Sequence, residues 1–254
     1  MTTPTPRTLY VHDDLSETLR ALDEGSAARR LGERLLARLV AERPRIVVLR
    51  LDEQLDRVVA AGDHAPFDVA IGIGAAGARV AERLHERTGW FPAIRRIDVW
   101  REERDDGSYA LSGPAPLLAQ LAPVREAPSA AVVDDTIFSG LTMRAVLRAV
   151  GARPGRRLHA FCLRAIEESL AAVRALAPVT AGVTASGRIL EDVSVINASG
   201  LVRRGAIRRA GRPALAFFER PEWMAAWFPA DHEAVTALCR QLCALLSEHP
   251  AGAL

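Results

Sequence analysis

The chain has 254 residues and no lysine, so all 33 of its basic residues are arginines. That absence excludes mechanisms built on a lysine amine, whether a Schiff base or the lysine of a P-loop. Cysteine is scarce too. Cys162, Cys239 and Cys243 are odd in number and lack paired-ligand spacing, which fits reduced thiols and a cytoplasmic chain. Cys239 and Cys243 fall one turn apart on an expected helix and read as core packing. His12, His64, His85, His159, His232 and His249 show no ligand spacing, so no protein-built metal site is expected. No apolar run approaches the ~18 residues that span a bilayer. Met1 to Tyr10 holds two prolines and an arginine and lacks the apolar centre of a secretory signal. The formal charge is only +2, so neither nucleic acid nor a membrane surface is expected as a partner, and any anion site must be local.

What remains is ordinary for a globular chain, with 49% hydrophobic and 25% charged residues. The length allows one large domain or a domain with a subdomain. Leu15, Leu19 and Leu22, then Leu31, Leu35 and Leu39, recur at helical spacing and predict a helical pair, with Ser26 as the N-cap between them. Ile46 to Leu51 reads as a short apolar run, and Asp52 as a possible cap for the helix that follows. A strand is predicted over 68–73, a tight turn over 74–77, a helix over 78–88 and a strand over 94–100. The polar stretch 101–116 carries turn chemistry and suggests an exposed hairpin or loop. A buried strand over 130–133, a helix over 141–150, a strand over 158–163 and a helix over 167–176 complete the alternation. Strands alternating with helices of that length imply an α/β fold, a parallel sheet with helices on both faces. The expected domains are an N-terminal helical extension 1–44, a core 45–180, and a C-terminal extension 181–254, the two ends forming a hood. The last of these carries a strand near Val193 to Ile196, a basic stretch Arg203 to Arg212, the aromatics Phe217, Phe218, Trp223, Trp227 and Phe228, and a closing helix over 231–246. The aromatics read first as packing, and alternatively as a stacking surface for a flat acceptor.

The chemistry concentrates in Val132-Val133-Asp134-Asp135-Thr136-Ile137-Phe138-Ser139-Gly140-Leu141-Thr142. Two adjacent carboxylates at the carboxyl end of a buried strand stand where open parallel sheets bind ligands. Adjacent strand residues point to opposite faces, so the two cannot both be core. The loop that follows has hydroxyls and a glycine and leads into a helix, whose free N–H groups and dipole favour a phosphate. Acids beside a phosphate cradle suit a sugar phosphate. The segment resembles the signature of the type I phosphoribosyltransferase family: four apolar residues (Ala130, Ala131, Val132, Val133), two acids (Asp134, Asp135), and a small-hydroxyl, glycine, hydroxyl pattern (Ser139, Gly140, Thr142). The resemblance implies a substrate, phosphoribosyl pyrophosphate (PRPP), whose ribose hydroxyls are held by Asp134 and Asp135. Thr136, Phe138, Ser139, Gly140, Leu141 and Thr142 would then grip its 5-phosphate. It also implies Mg²⁺ as cofactor, carried by PRPP and water rather than by protein ligands, and a homodimer. Thr136 departs mildly from the family's usual aliphatic residue. Phe138 stands where the hypoxanthine and guanine salvage branch carries a proton-handling aspartate, and phenylalanine transfers no proton, which disfavours a 6-oxopurine acceptor.

Gly72-Ile73-Gly74-Ala75-Ala76-Gly77 fits GxGxxG between a strand and a helix, so a dinucleotide site stays open, with Asp98 about twenty residues on. In the phosphoribosyltransferase resemblance Gly74, Ala75, Ala76 and Gly77 receive the pyrophosphate instead. The segment from Arg101 to Tyr109 resembles, in position, the family's closing loop. Arg101 and Arg104 would there neutralise the departing pyrophosphate while closure excludes water. Three functions are carried forward: phosphoribosyl transfer to a small-molecule acceptor, PRPP sensing without catalysis, and an NAD-dependent enzyme.

Overall fold

The computed structural model describes residues 8–42, 44–151 and 155–248. Most of the N-terminal segment weighed as a signal, and His249, lie outside the described residues. In chain order the elements begin with β1 (Thr8–His12), α1 (Leu15–Arg20), α2 (Ala27–Ala41) and β2 (Ile46–Leu49). There follow α3 (Leu51–Ala60), β3 (Val69–Ile73), α4 (Gly74–Thr88), β4 (Ile94–Ile97), β5 (Trp100–Glu103) and β6 (Tyr109–Ser112). The middle of the chain holds α5 (Leu117–Leu121), β7 (Ser129–Ile137), α6 (Leu141–Val150), β8 (Arg157–Ile166), α7 (Glu167–Arg174) and β9 (Val179–Ala185). It ends with β10 (Val193–Asn197), α8 (Ala198–Val202), β11 (Ile207–Arg209), β12 (Arg212–Leu215), α9 (Pro221–Trp227) and α10 (His232–Glu248).

These elements fall into two compact units. One joins the two ends of the chain, 1–51 and 188–254; the other is the central stretch 52–187. The boundaries expected from sequence were 45 and 180. The difference at the first comes from Ile46–Leu49, which pairs in parallel with β1 instead of opening the central sheet. β1 itself was not anticipated, because its five residues precede the first helical pattern and show no long apolar run. Val193–Asn197 flanks β1 on its other side, again in parallel, giving the order β10-β1-β2. The helical pair is as the spacing predicted, and Ser26 does cap α2, its side chain accepting the N–H of Arg29 at 3.2 Å. Leu9, Leu35, Leu39, Trp227, Phe228, Cys239 and Leu242 share one core, so most of the C-terminal aromatics and Cys239 are packing inside this unit. Arg204 in the basic stretch is exposed and pairs with Glu219.

The central unit is built on five parallel strands in the order β4-β3-β7-β8-β9. Helices cover both faces. Ile71 and Ile73 of β3, Ala130 and Val132 of β7, and Cys162 of β8 share a core with Leu121 of α5, Met143 and Val146 of α6, and Leu170 of α7. On the other face Gly72 has no room for a Cβ, which would stand 2.4 Å from the Cα of Ala78, so α4 rests directly on β3. α3 lies as close on β9, where a Cβ at Gly182 would meet the Gln54 carbonyl oxygen at 2.6 Å. The polar stretch after β4 forms the antiparallel hairpin of β5 and β6, with Arg101 opposite Leu111. The strand expected over 94–100 is therefore two strands, broken at Asp98 and Val99. Among the described residues no helix is long and apolar enough to cross a membrane.

Candidate active site

Because all five central strands run the same way, their carboxyl ends share one edge, where ligands of open parallel sheets bind. β7 is the middle strand. It is longer than expected: its pairing with β3 stops at Gly72 opposite Val133, while its pairing with β8 runs on to Ile137 opposite Ala165. Asp134 to Ile137 therefore run on past the pairing with β3. Beyond β3 comes the start of α4, so the segment 74–77, expected as a tight turn, is the first turn of a helix. Gly77 makes the approach possible. A Cβ there would stand 2.4 Å from the carbonyl oxygen of Val133 and 3.2 Å from the Cα of Asp134. Gly74 takes the left-handed φ of +63° with open space around it. No side chain caps α4, so its early N–H groups face the edge with the positive end of the helix dipole. Gly74, Ala75 and Ala76 are at least partly exposed.

Asp134, Asp135 and Thr136 are all half-buried near the end of β7. Asp135 Oδ2 accepts a hydrogen bond from the guanidinium of Arg164 at 2.8 Å. Arg164 is itself 1% exposed and donates a second bond, at 3.3 Å, to Gln54 Oε1. Asp134 Oδ1 accepts the N–H of Asp135 at 2.9 Å. Burial, and after it the charge of Asp135, pushes the Asp134 carboxyl well above the usual carboxylate range, with the Arg101 charge opposing.

The loop of Phe138, Ser139 and Gly140 is pinned from behind. Ser169 of α7 donates its hydroxyl to the Phe138 carbonyl at 2.7 Å. Gly140 turns the chain at φ +70°, against Val173 and the Ser169 carbonyl, and α6 starts at once with no side-chain cap. Leu141 and Thr142 form its half-buried first turn, and the Leu141 N–H points to Ser139 Oγ at 3.5 Å. From the hairpin, Arg101 donates to Ser139 Oγ at 3.3 Å, and its guanidinium lies 5.8 Å from the Phe138 ring centre and 5.7 Å from that of Tyr109. Arg104 sits in the exposed turn of the hairpin, its backbone bonded to Ser108 and Gly107. The structure thus gathers the acid pair, the 138–142 loop, the start of α4 and Arg101 at one edge, and leaves Arg104 in the hairpin turn.

Three contributors were not read from the sequence: Arg164, Gln54 and Ser169. Arg164 had a signal, since it is the lone charge in the apolar run Ala160 to Ile166 and a buried charge demands a partner. Gln54 and Ser169 look like any polar residue on a helix. The acid of the dinucleotide pattern, Asp98, directly follows the end of β4, but its carboxylate is taken by Arg96 at 2.6 Å. Gly72 lies within β3 rather than in the turn. Among the described residues no group of three or more His, Cys, Asp or Glu could hold a metal ion.

No protein-family model matches the sequence, and no curated protein matches it. Among solved structures, the chain is similar to a hypothetical protein from Neisseria gonorrhoeae with bound ppGpp, at 18% identity and a TM-score of 0.38, covering 56% of this chain and 78% of that one. It is similar also to a purine phosphoribosyltransferase from Pyrococcus horikoshii Ot3, at 16% identity and a TM-score of 0.33, over 64% and 88% of the two chains. An orotate phosphoribosyltransferase from Aeropyrum pernix gives 17% identity and a TM-score of 0.35 over 59% and 76%. Superposition this weak transfers no activity to this chain.

Proposed function

We propose that the chain binds PRPP and transfers its phosphoribosyl group to a small-molecule acceptor with release of pyrophosphate. The observation that carries this reading is the overrun of β7 past its pairing with β3, which leaves two half-buried carboxylates between two helix starts whose N-cap residues make no side-chain cap bond. In this assignment Asp134 and Asp135 hold the ribose hydroxyls, the 138–142 loop and the first turn of α6 take the 5-phosphate, and residues 74–77 take the pyrophosphate. The two phosphate groups then lie on either side of the acids, as PRPP requires.

The residues suit a substrate-borne Mg²⁺. The acid pair offers hard oxygen donors but too few for a closed site, and Mg²⁺ keeps several water or substrate oxygens in its shell. When bound, it would neutralise charge on the leaving pyrophosphate. The chain supplies the rest. Asp134 and Asp135 fix the sugar, backbone N–H groups at the two helix starts hold its phosphates, and Arg101 adds positive charge beside the 138–142 loop. Bond breaking at the anomeric carbon develops oxocarbenium character there, next to carboxylates that favour it. No covalent nucleophile is required.

Calorimetric titration of PRPP with Mg²⁺ tests the binding, and pyrophosphate release across a panel of nucleobases, amines and hydroxyl compounds tests the transfer. Absence of PRPP binding refutes the reading outright. Phe138 favours one alternative, a PRPP sensor without catalysis, since the residue in that position moves no proton. Binding without pyrophosphate release from any acceptor would select it.

A further inference from the structure

Burying an arginine within a strand is costly unless its charge is met, and one lost partner leaves a charge stranded in a poor solvent. Arg164 is in that position. Its side chain is 1% exposed, too deep to reach a sugar at the edge, yet it gives one nitrogen to Asp135 at 2.8 Å and another to Gln54 at 3.3 Å. Gln54 is also 1% exposed, and the close rest of α3 on Gly182 of β9 holds it there. A buried chain of contacts thus runs from α3 through β8 to the second acid. The first acid has a different setting, accepting the backbone N–H of its neighbour and lying within the field of Arg101.

We infer that Arg164, steadied by Gln54, is a positioning residue that fixes Asp135 as the standing carboxylate of the pair and leaves Asp134 as the member that responds to a bound sugar. The inference rests on the sugar-phosphate reading of the site. Two adjacent carboxylates and one guanidinium carry a net negative charge of one if both acids are ionised. Burial and the Asp135 charge both raise the Asp134 carboxyl above its ordinary range, with Arg101 opposing, while Asp135 has the Arg164 guanidinium at 2.8 Å. Asp135, tied to Arg164, keeps its place when a ligand reaches the pair, whereas among the described residues no buried guanidinium is bonded to Asp134. The buried guanidinium thus offsets one of the two adjacent carboxylates.

The test is a double-mutant cycle of Arg164→Met and Asp135→Asn, read in both thermal unfolding and PRPP affinity, with Arg164→Lys as the conservative variant. We expect Arg164→Met to remain folded by circular dichroism and to bind PRPP roughly 10- to 100-fold more weakly, the range for removing a residue that orients a binding group. Arg164→Lys should recover part of that loss, and Arg164→Met should add little in an Asp135→Asn background. The pH profile of PRPP binding should also move in Arg164→Met. A lower unfolding midpoint with unchanged PRPP affinity and pH profile in the folded protein would overturn the inference and leave Arg164 a merely structural residue. Should Arg164→Met fail to fold, Arg164→Lys decides, since undiminished affinity there has the same consequence. If the wild-type protein binds no PRPP, the sugar reading fails by itself; the unfolding cycle still reports on the linkage, and additive losses would then refute it.

Discussion

Each of the two units carries a pair of adjacent aspartates at the carboxyl end of its middle parallel strand, and the pairs are put to opposite uses. In the terminal unit Asp13 and Asp14 directly follow β1. Asp13 accepts the Ser16 N–H at 2.9 Å and its hydroxyl at 2.5 Å, while Asp14 accepts the Ser199 N–H at 2.8 Å and its hydroxyl as well. Both acids are therefore tied to the starts of short helices, α1 and α8. In the central unit Asp134 and Asp135 lie within β7, the one with a carboxyl pushed up by burial and the other bound to a buried arginine. A pair of acids at a strand end is thus no signal by itself. What differs is the continuation: Leu15 starts a helix at once after Asp14, whereas β7 runs on to Ile137 and turns at a left-handed glycine.

The largest expected effect tests that contrast directly. Asp134→Asn with Asp135→Asn should weaken PRPP by ~1,000-fold or more, as two charge-assisted hydrogen bonds of about 1.5–3 kcal/mol each are lost, while Asp13→Asn with Asp14→Asn leaves calorimetric PRPP affinity unchanged. Equal affinity in both double variants would erase the distinction.

A pair of glycine substitutions follows. Gly77→Ala places a methyl 2.4 Å from a strand carbonyl of β7, which cannot turn aside; about 3 kcal/mol of stability should go, as in severe overpacking, and PRPP affinity with it. Gly200→Ala in the terminal unit meets the Phe217 ring, also at 2.4 Å, but a ring can rotate, so about 1 kcal/mol is expected with affinity intact. Chemical denaturation of the two variants measures the difference.

Removing a cap should be milder. Asp14→Ala frees both Ser199 groups and should cost about 1–2 kcal/mol in urea unfolding, with no change in PRPP binding.

The smallest effect has the opposite sign. Asp134 has a raised folded value, so the folded state keeps a proton that the unfolded chain has lost, and stability falls as pH rises above the ordinary carboxylate range. Asp134→Asn should therefore melt about 2–4 °C above the wild type at neutral pH, and the gap should close as pH falls below about 3, where the wild-type carboxyl is protonated in both states. A variant that melts lower at neutral pH would show that the carboxylate is stabilised rather than strained.

Much of the central unit was legible. The strand and helix alternation from Asp68 onward gave the parallel sheet, and α6 spans Leu141–Val150 as predicted, closed by Gly151 at its C-cap. The acid pair and the 138–142 loop were legible as a local pattern, because a strand, two acids and a glycine turn are contiguous. β1 was not, since a five-residue strand gains its meaning only from partners far along the chain. Nor was the role of Gly77, which reads as a turn residue and acts as the gap through which α4 reaches the Val133 carbonyl.

By itself the sequence determined the class of fold, the absence of lysine chemistry and the identity of the acids and the turn beside them, all of which depend on composition or on neighbours in the chain. Tertiary structure alone decided that β7 runs on past its pairing with β3, that the two ends of the chain close into one sheet, and that Asp135 rather than Asp134 has a buried guanidinium for a partner. Those outcomes depend on strand register and on side chains brought together from α3, β7 and β8, and no local pattern specifies which residues meet across a sheet.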